Sequence, residues 1–214
     1  LTSEARITPR PGLSALLPGL AGGAAGASGG SWRERLVLEA AELTRAGGWQ
    51  AITMAKLADR VGVSRQTVYN EIGSKQQLAE AMIMHELEVF LRGVDAAFTD
   101  NPTDLVAAIR GAALAVLRDA RDNPLLHAVL SASHGAESQL LPLLTTQVEP
   151  IIDAAGVLIK GHLFSYDVPL TPDRIDALVD MVIRLVLSHV TAPASSPEST
   201  ADDIAFIAER VLRG

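Results

Sequence analysis

The sequence predicts an all-α protein of about nine helices, and three observations carry that prediction. Apolar residues make up 48% of the 214-residue chain but aromatics only 4%, and Ala and Leu dominate, which favours helices packed through small and branched side chains. From residue 31 onward the apolar positions recur at helical spacing, with hydroxyl caps and Gly or Pro stops between the runs. No stretch shows the alternation that would make a convincing strand.

Residues 1–30 are rich in Gly, Ala, Pro and Leu and read as a flexible arm. Leu13 to Leu20 is broken by Pro18 and Gly19 and is too short to span a bilayer. Two other readings of this arm are open. Arg6 and Arg10 ahead of the apolar patch resemble a secretory signal, or the two arginines contact a DNA backbone or minor groove.

The first helix is expected from about Trp32 to Ala46, with Ser31 as its cap, Leu36, Ala40 and Leu43 buried, and Gly47-Gly48 as its stop. Trp49 and Ile52 then plug a small core. The next segment is the most informative in the chain. Met54, Leu57, Ala58 and Val61 form one apolar face behind the cap Thr53. Gly62 can take the left-handed conformation that ends this helix. Ser64 caps a second helix whose Val68 turns inward, leaving Arg65, Gln66, Thr67, Tyr69 and Asn70 as an outer polar surface. Two short helices around a tight glycine turn make a helix-turn-helix, whose second helix has the dimensions a DNA major groove admits. An ordinary pair of surface helices fits the same local pattern.

The residues taken together resemble the N-terminal domain of the TetR family of transcriptional regulators. The matching positions are Thr53, Leu57-Ala58, Val61-Gly62-Val63-Ser64, Thr67-Val68-Tyr69, Ser74-Lys75 and Leu78, within about residues 32–80. Two places depart from the family pattern: Ile72 stands where Phe is usual, and Asn70-Glu71 where His and an aromatic are frequent. Glu71 either accepts from cytosine N4 in the groove or points away to pair with a basic residue. The resemblance implies DNA contacts from Thr53, Ser64, Arg65, Gln66, Thr67, Tyr69, Asn70 and Lys75. Lys75 is expected beside a phosphate at the N-terminus of the next helix.

That helix begins with a capping box at Ser74 and Gln77 and runs to about Phe98, with Leu78, Met82, Val89, Phe90 and Val94 apolar. Further helices are expected over about 103–121, 124–132, 138–165 with a break or kink implied by Pro142 and Pro150, 172–191 and 200–213. Thr171-Pro172 is a strong start signal, and 193–199 reads as a loop. The domain reading is 1–30 arm, 31–76 helix-turn-helix DNA-binding domain, and 77–214 larger helical ligand-binding and dimerisation domain.

The segment 172–191 carries an apolar stripe too wide for a helix with one buried side. With Ile204, Ile207, Ala208, Val211 and Leu212 it either completes a homodimer interface, as the resemblance implies, or lies in the monomer core. An apolar helical body can also hold a ligand cavity between its helices. The candidate polar anchors are His85, Asn123, His127, His134, His162 and Tyr166.

Net charge is −7, unevenly placed: residues 31–75 hold seven basic and five acidic groups, and residues 76–214 hold nine basic and nineteen acidic. This suits a DNA-facing end and an acidic body that DNA repels. The chain has no cysteine, hence no disulfide and no thiolate metal site, in keeping with a cytoplasmic protein. No His-Glu-x-x-His, Gly-x-Ser-x-Gly or phosphate loop is present, so no enzyme, cofactor or metal is expected. The functional expectation is a ligand-responsive repressor, bound as a homodimer to a palindromic operator and released by a fatty-acid-like or hydrophobic drug-like effector. The alternative is a helical lipid or small-molecule carrier with a degenerate helix-turn-helix.

Overall fold

The computed structural model describes residues 31–131 and 148–213, and among them every regular element is helical. The sequence expectations for the 1–30 arm, for His134 and for the stretch around Pro142 fall outside the described residues. Nine α-helices follow in order among those described: α1 (Trp32–Gly47), α2 (Met54–Val61), α3 (Arg65–Ile72), α4 (Lys75–Asp100), α5 (Leu105–Asp122), α6 (Pro124–Ser131), α7 (Glu149–Leu163), α8 (Pro172–Thr191) and α9 (Pro197–Arg213). A single 3-10 turn, Trp49–Ala51, joins α1 to α2.

Side-chain caps fix where most of these helices start. Ser31, Thr53, Ser64 and Asp104 each accept a backbone N–H from three residues on, a contact worth about 1 kcal/mol. At α4 the cap is reciprocal: Ser74 Oγ accepts from Gln77 N at 3.2 Å, and Gln77 Oε1 accepts from Ser74 N at 2.8 Å. Thr171 holds the cap position of α8 through its carbonyl alone, which accepts from Arg174 N and Ile175 N. Of the break or kink expected within 138–165, the part at Pro150 is a helix start: the proline stands in the first turn of α7, where its missing N–H is no loss. Pro197 likewise opens α9 three residues earlier than expected.

The first three helices enclose a core of Leu36, Ala40, Trp49, Ile52, Leu57 and Val68, all buried. Leu78 and Met82 of α4 complete it, and further along the same helix Leu87, Leu91, Val94 and Phe98 enter the core of the body. The observed stripe on α4 thus replaces Val89 and Phe90, which are half-buried, with Leu87, Leu91 and Phe98. In the body α4 and α9 both pack against α5, and α8 lies against α7, α5 and α9. Gly93 meets Ala115, and Gly111 meets Ala97, so α4 and α5 approach closely through small residues. The short helix α6 reaches back to touch α1.

Three glycines around the helix-turn-helix hold positive φ, Gly48, Gly62 and Gly73, and the last two set its turns. Gly62 (φ 76°) ends α2 with its own N–H and that of Val63 donating to the Ala58 carbonyl. Gly73 (φ 89°) separates α3 from α4, and a Cβ there would stand 2.2 Å from Gln77 Oε1. Gly62→Ala should therefore lower the unfolding free energy by about 1 kcal/mol through backbone strain. Gly73→Ala should remove about 2 kcal/mol, since it also disrupts the capping box. Urea unfolding of the two variants checks this; equal losses would mean that the box contributes nothing.

Candidate nucleic-acid interface and effector cavity

The caps that start α2 and α3 also set the outer surface of the helix-turn-helix. Thr53 and Ser64 sit exposed at the two N-termini, with Thr67 hydrogen-bonded to Ser64 both through its N–H (3.0 Å) and between hydroxyls (2.8 Å). Arg65, Gln66, Tyr69 and Asn70 follow on the solvent side of α3, and Tyr69 is 53% exposed. A phenol that exposed on a folded helix offers a hydroxyl and an apolar ring to a partner. Gln66 Nε2 donates to Asn70 Oδ1 at 2.8 Å, so the two amides are aligned by each other one turn apart.

Basic groups brace this surface as well as charging it. Arg33 Nη1 donates to the Glu71 carbonyl at 2.6 Å, joining α1 to the end of α3. Among the described residues the Glu71 carboxylate has no ion pair, so the basic partner expected for it binds its backbone instead. Arg60 pairs with Glu39 at 2.7 Å and joins α2 to α1.

Lys75 departs most from expectation. Its ammonium turns inward, donating to the carbonyls of Ile52 (2.7 Å) and Trp49 (3.0 Å), and stands 4.8 Å from the centre of the Trp49 ring. Partial burial lowers its pKa from the ordinary lysine value. The 3-10 turn leaves those two carbonyls outside any helix ladder, and the lysine satisfies them. Lys75 thus locks α4 to the turn after α1, with two of its three ammonium hydrogens engaged there.

In the body, α4, α5, α7 and α8 enclose an apolar cavity of about 140 Å³, roughly ten times the least volume that holds one water. Leu91, Phe98, Ile109, Leu126, Val179 and Ile183 are among the residues around it. Among the described residues, none of the polar anchors read from the sequence lines it, and four have structural partners. Asn123 donates to Glu86 Oε2 and caps α6 by accepting from Leu125 N and Leu126 N. His127 Nε2 meets the Arg121 carbonyl. His162 pairs with Asp95 at 2.8 Å and stacks on Phe98, and Tyr166 OH donates to the Asn101 carbonyl at 2.6 Å. His85 is half-buried on α4.

The cavity walls were the part that sequence reasoning missed, and the signal was present. The wide stripe on residues 172–191 reads as excess apolar surface for a dimer. In the fold Ile175, Leu178, Val179, Val182, Ile183 and Val186 line the cavity, as do Leu187 and Val190. Met181 (69% exposed) is the large apolar residue left exposed on α8, and Phe206, Ile207 and Val211 are exposed on α9. The cavity also has a physical link to the DNA-binding end. Leu125 and Leu126 of α6 line it, and α6 packs on α1.

Among the described residues no cluster of His, Asp or Glu is placed to hold a metal, and no helix is long and apolar enough to cross a membrane.

Comparison with known proteins adds independent findings. Residues 36–82 match the family model of bacterial regulatory proteins of the tetR family, and residues 104–210 match that of the bacterial tetracyclin repressor C-terminal domain. The chain is 30% identical over 157 residues to the HTH-type transcriptional regulator AlkX of Mycobacterium tuberculosis, covering 73% of this chain and 74% of the relative. Among solved structures it superposes on the TetR family repressor AlkX of a Dietzia strain, implicated in biodegradation of n-alkanes. That match has a TM-score of 0.71 at 24% identity, covering 86% of this chain and 98% of that one. A putative TetR-family regulator from Mesorhizobium loti gives a TM-score of 0.57 at 12% identity over 85% and 95% of the two chains.

Lys75→Met keeps the lysine stem but strands two carbonyls. It should lower the stability of the DNA-free protein by about 2 kcal/mol, the range for a hydrogen bond to a charged donor. Arg65→Ala on the exposed face should stay within about 0.5 kcal/mol of wild type. Denaturant unfolding distinguishes them, and an unchanged Lys75→Met would return that lysine to a phosphate-binding role.

Proposed function

The chain belongs to the TetR family of bacterial transcriptional regulators, and on that premise we propose that it is a homodimeric repressor released from a palindromic operator by a small apolar effector. Members of this family are DNA-binding transcription factors, not enzymes. The observation that carries the reading is the position of α6, which lines the apolar cavity on one side and packs against the first helix of the DNA-binding end on the other.

Thr53, Ser64, Arg65, Gln66, Thr67, Tyr69 and Asn70 are the proposed DNA contacts. Gln66 and Asn70 carry the amide groups that read adenine edges, and the hydroxyls and Arg65 suit phosphate. The exposed apolar residues Met181, Phe206, Ile207 and Val211 support a self-complementary interface between α8, α9 and their symmetry mates. Two copies then present α3 to half-sites roughly one helical turn, about 34–36 Å, apart. An effector that binds more tightly when α6 and α4 have moved shifts the dimer to a spacing the operator does not fit. The link of the Dietzia relative to n-alkane biodegradation agrees with an effector of hydrocarbon character. A carrier with a degenerate helix-turn-helix has no observation of its own in favour. We place the working protein in the cytoplasm, where its operator is.

Selection of bound DNA from a random pool, repeated at several salt concentrations, tests the reading. The expected product is a palindrome whose log affinity falls linearly with log salt; a folded, ligand-free protein that enriches no sequence would refute it. Ile207→Arg should convert the dimer to monomer in sedimentation and weaken operator binding by at least about tenfold. Gln66→Ala should relax preference at one base pair per half-site by about 1–3 kcal/mol, read from the selected sequences.

A further inference from the structure

The cavity has a chemical character beyond its size. Of the 28 described residues that line it 27 are apolar, none is Lys, Arg or His, and none of their polar atoms faces the free volume. The exception is Glu86 of α4, whose stem joins the wall while its carboxylate turns to Asn123, Oε2 accepting from Nδ2 at 2.6 Å. The backbone N–H groups at that corner are already engaged. Asn123 Oδ1 takes the N–H groups of Leu125 (2.9 Å) and Leu126 (3.0 Å), Pro124 has none, and His127 N donates to the Asn123 carbonyl at 3.1 Å. The start of α6, beside the cavity, therefore has no free N–H to offer an anion.

We infer that the cavity selects neutral hydrocarbon chains and rejects their carboxylates, and that Glu86 sharpens the rejection. The inference rests on the effector reading above and narrows it. A hydrocarbon chain brings only apolar surface and gains from its burial. A carboxylate has two destinations, and both are unfavourable. Inside, it loses water against described wall residues that return no hydrogen bond. At the α6 corner it meets Glu86, a like charge that is half-buried and so only partly screened. A fatty-acid anion, one of the effectors the sequence suggests, is thus the wrong ionic form for this wall.

The test uses the full-length protein at neutral pH with decane, methyl decanoate and decanoate, each kept below its solubility or micelle limit. Ligand binding is read from the concentration-dependent rise in Tm. Decane and the methyl ester should raise Tm, and decanoate should bind at least about tenfold more weakly. Glu86→Gln keeps an acceptor for Asn123 but removes the charge, and should narrow that gap by about threefold or more. Decanoate binding as tightly as decane to the wild-type protein would overturn the inference, whatever the variant does. A gap unchanged in Glu86→Gln would overturn the role of Glu86. Failure of all three compounds to bind would overturn the effector reading itself, so the two failures are distinguishable.

Discussion

One helix belongs to two cores, and the rest of the structure depends on that. The first two turns of α4 bury Leu78, Ala79 and Met82 with the DNA-binding helices, and the later turns bury Leu87, Leu91, Val94 and Phe98 in the body. Close packing resists continuous deformation, so a shift of α4 at the cavity is felt at its N-terminus. The start of that helix is also held more tightly than a surface helix needs. Its capping box, the positive-φ turn at Gly73 and the Lys75 ammonium on two carbonyls all fix the angle at which it leaves the DNA-binding end.

The two ends of the molecule use polarity in opposite ways. On α3 the polar side chains are exposed and hold one another in place: Gln66 orients Asn70, and Ser64 orients Thr67. Side chains already fixed lose less entropy when they meet a partner. In the body the polar groups are turned into structural bonds, among them Asp95 with His162 and Tyr166 with the Asn101 carbonyl. What they leave inside is a space to which the described residues turn apolar surface alone. Such a space forfeits dispersion contacts while empty, which is a driving force for an apolar occupant. The charge distribution follows the same division, mildly basic over residues 31–75 and acidic beyond.

Much of this was legible in the chain because it is local. Caps, glycine turns and helical periods act over three to five residues, so Thr53, Ser64, Ser74, Gly62 and Pro172 announced their helices without tertiary knowledge. The polar face of α3 followed from which positions of a short helix remain once Val68 is turned inward. Where the sequence reading went astray, the missing information was long-range. Lys75 beside a helix start looks like a phosphate ligand until the turn at Trp49 and Ile52 is folded back against it. The stripe on α8 leaves dimer face and monomer core both open until α4, α5 and α7 are placed around it, and most of it then lines the cavity.

The sequence by itself determined the all-helical class, the helix-turn-helix and the family to which the chain belongs, since periodicity, caps and motif spacing are properties of neighbouring residues. The tertiary structure alone decided which apolar side chains fill the core and which are left facing a void. It also decided that Asn123, His127, His162 and Tyr166 make hydrogen bonds within the fold. The reason is physical. A cavity is the difference between the volume that packed helices enclose and the volume their side chains occupy, and no single segment carries that difference.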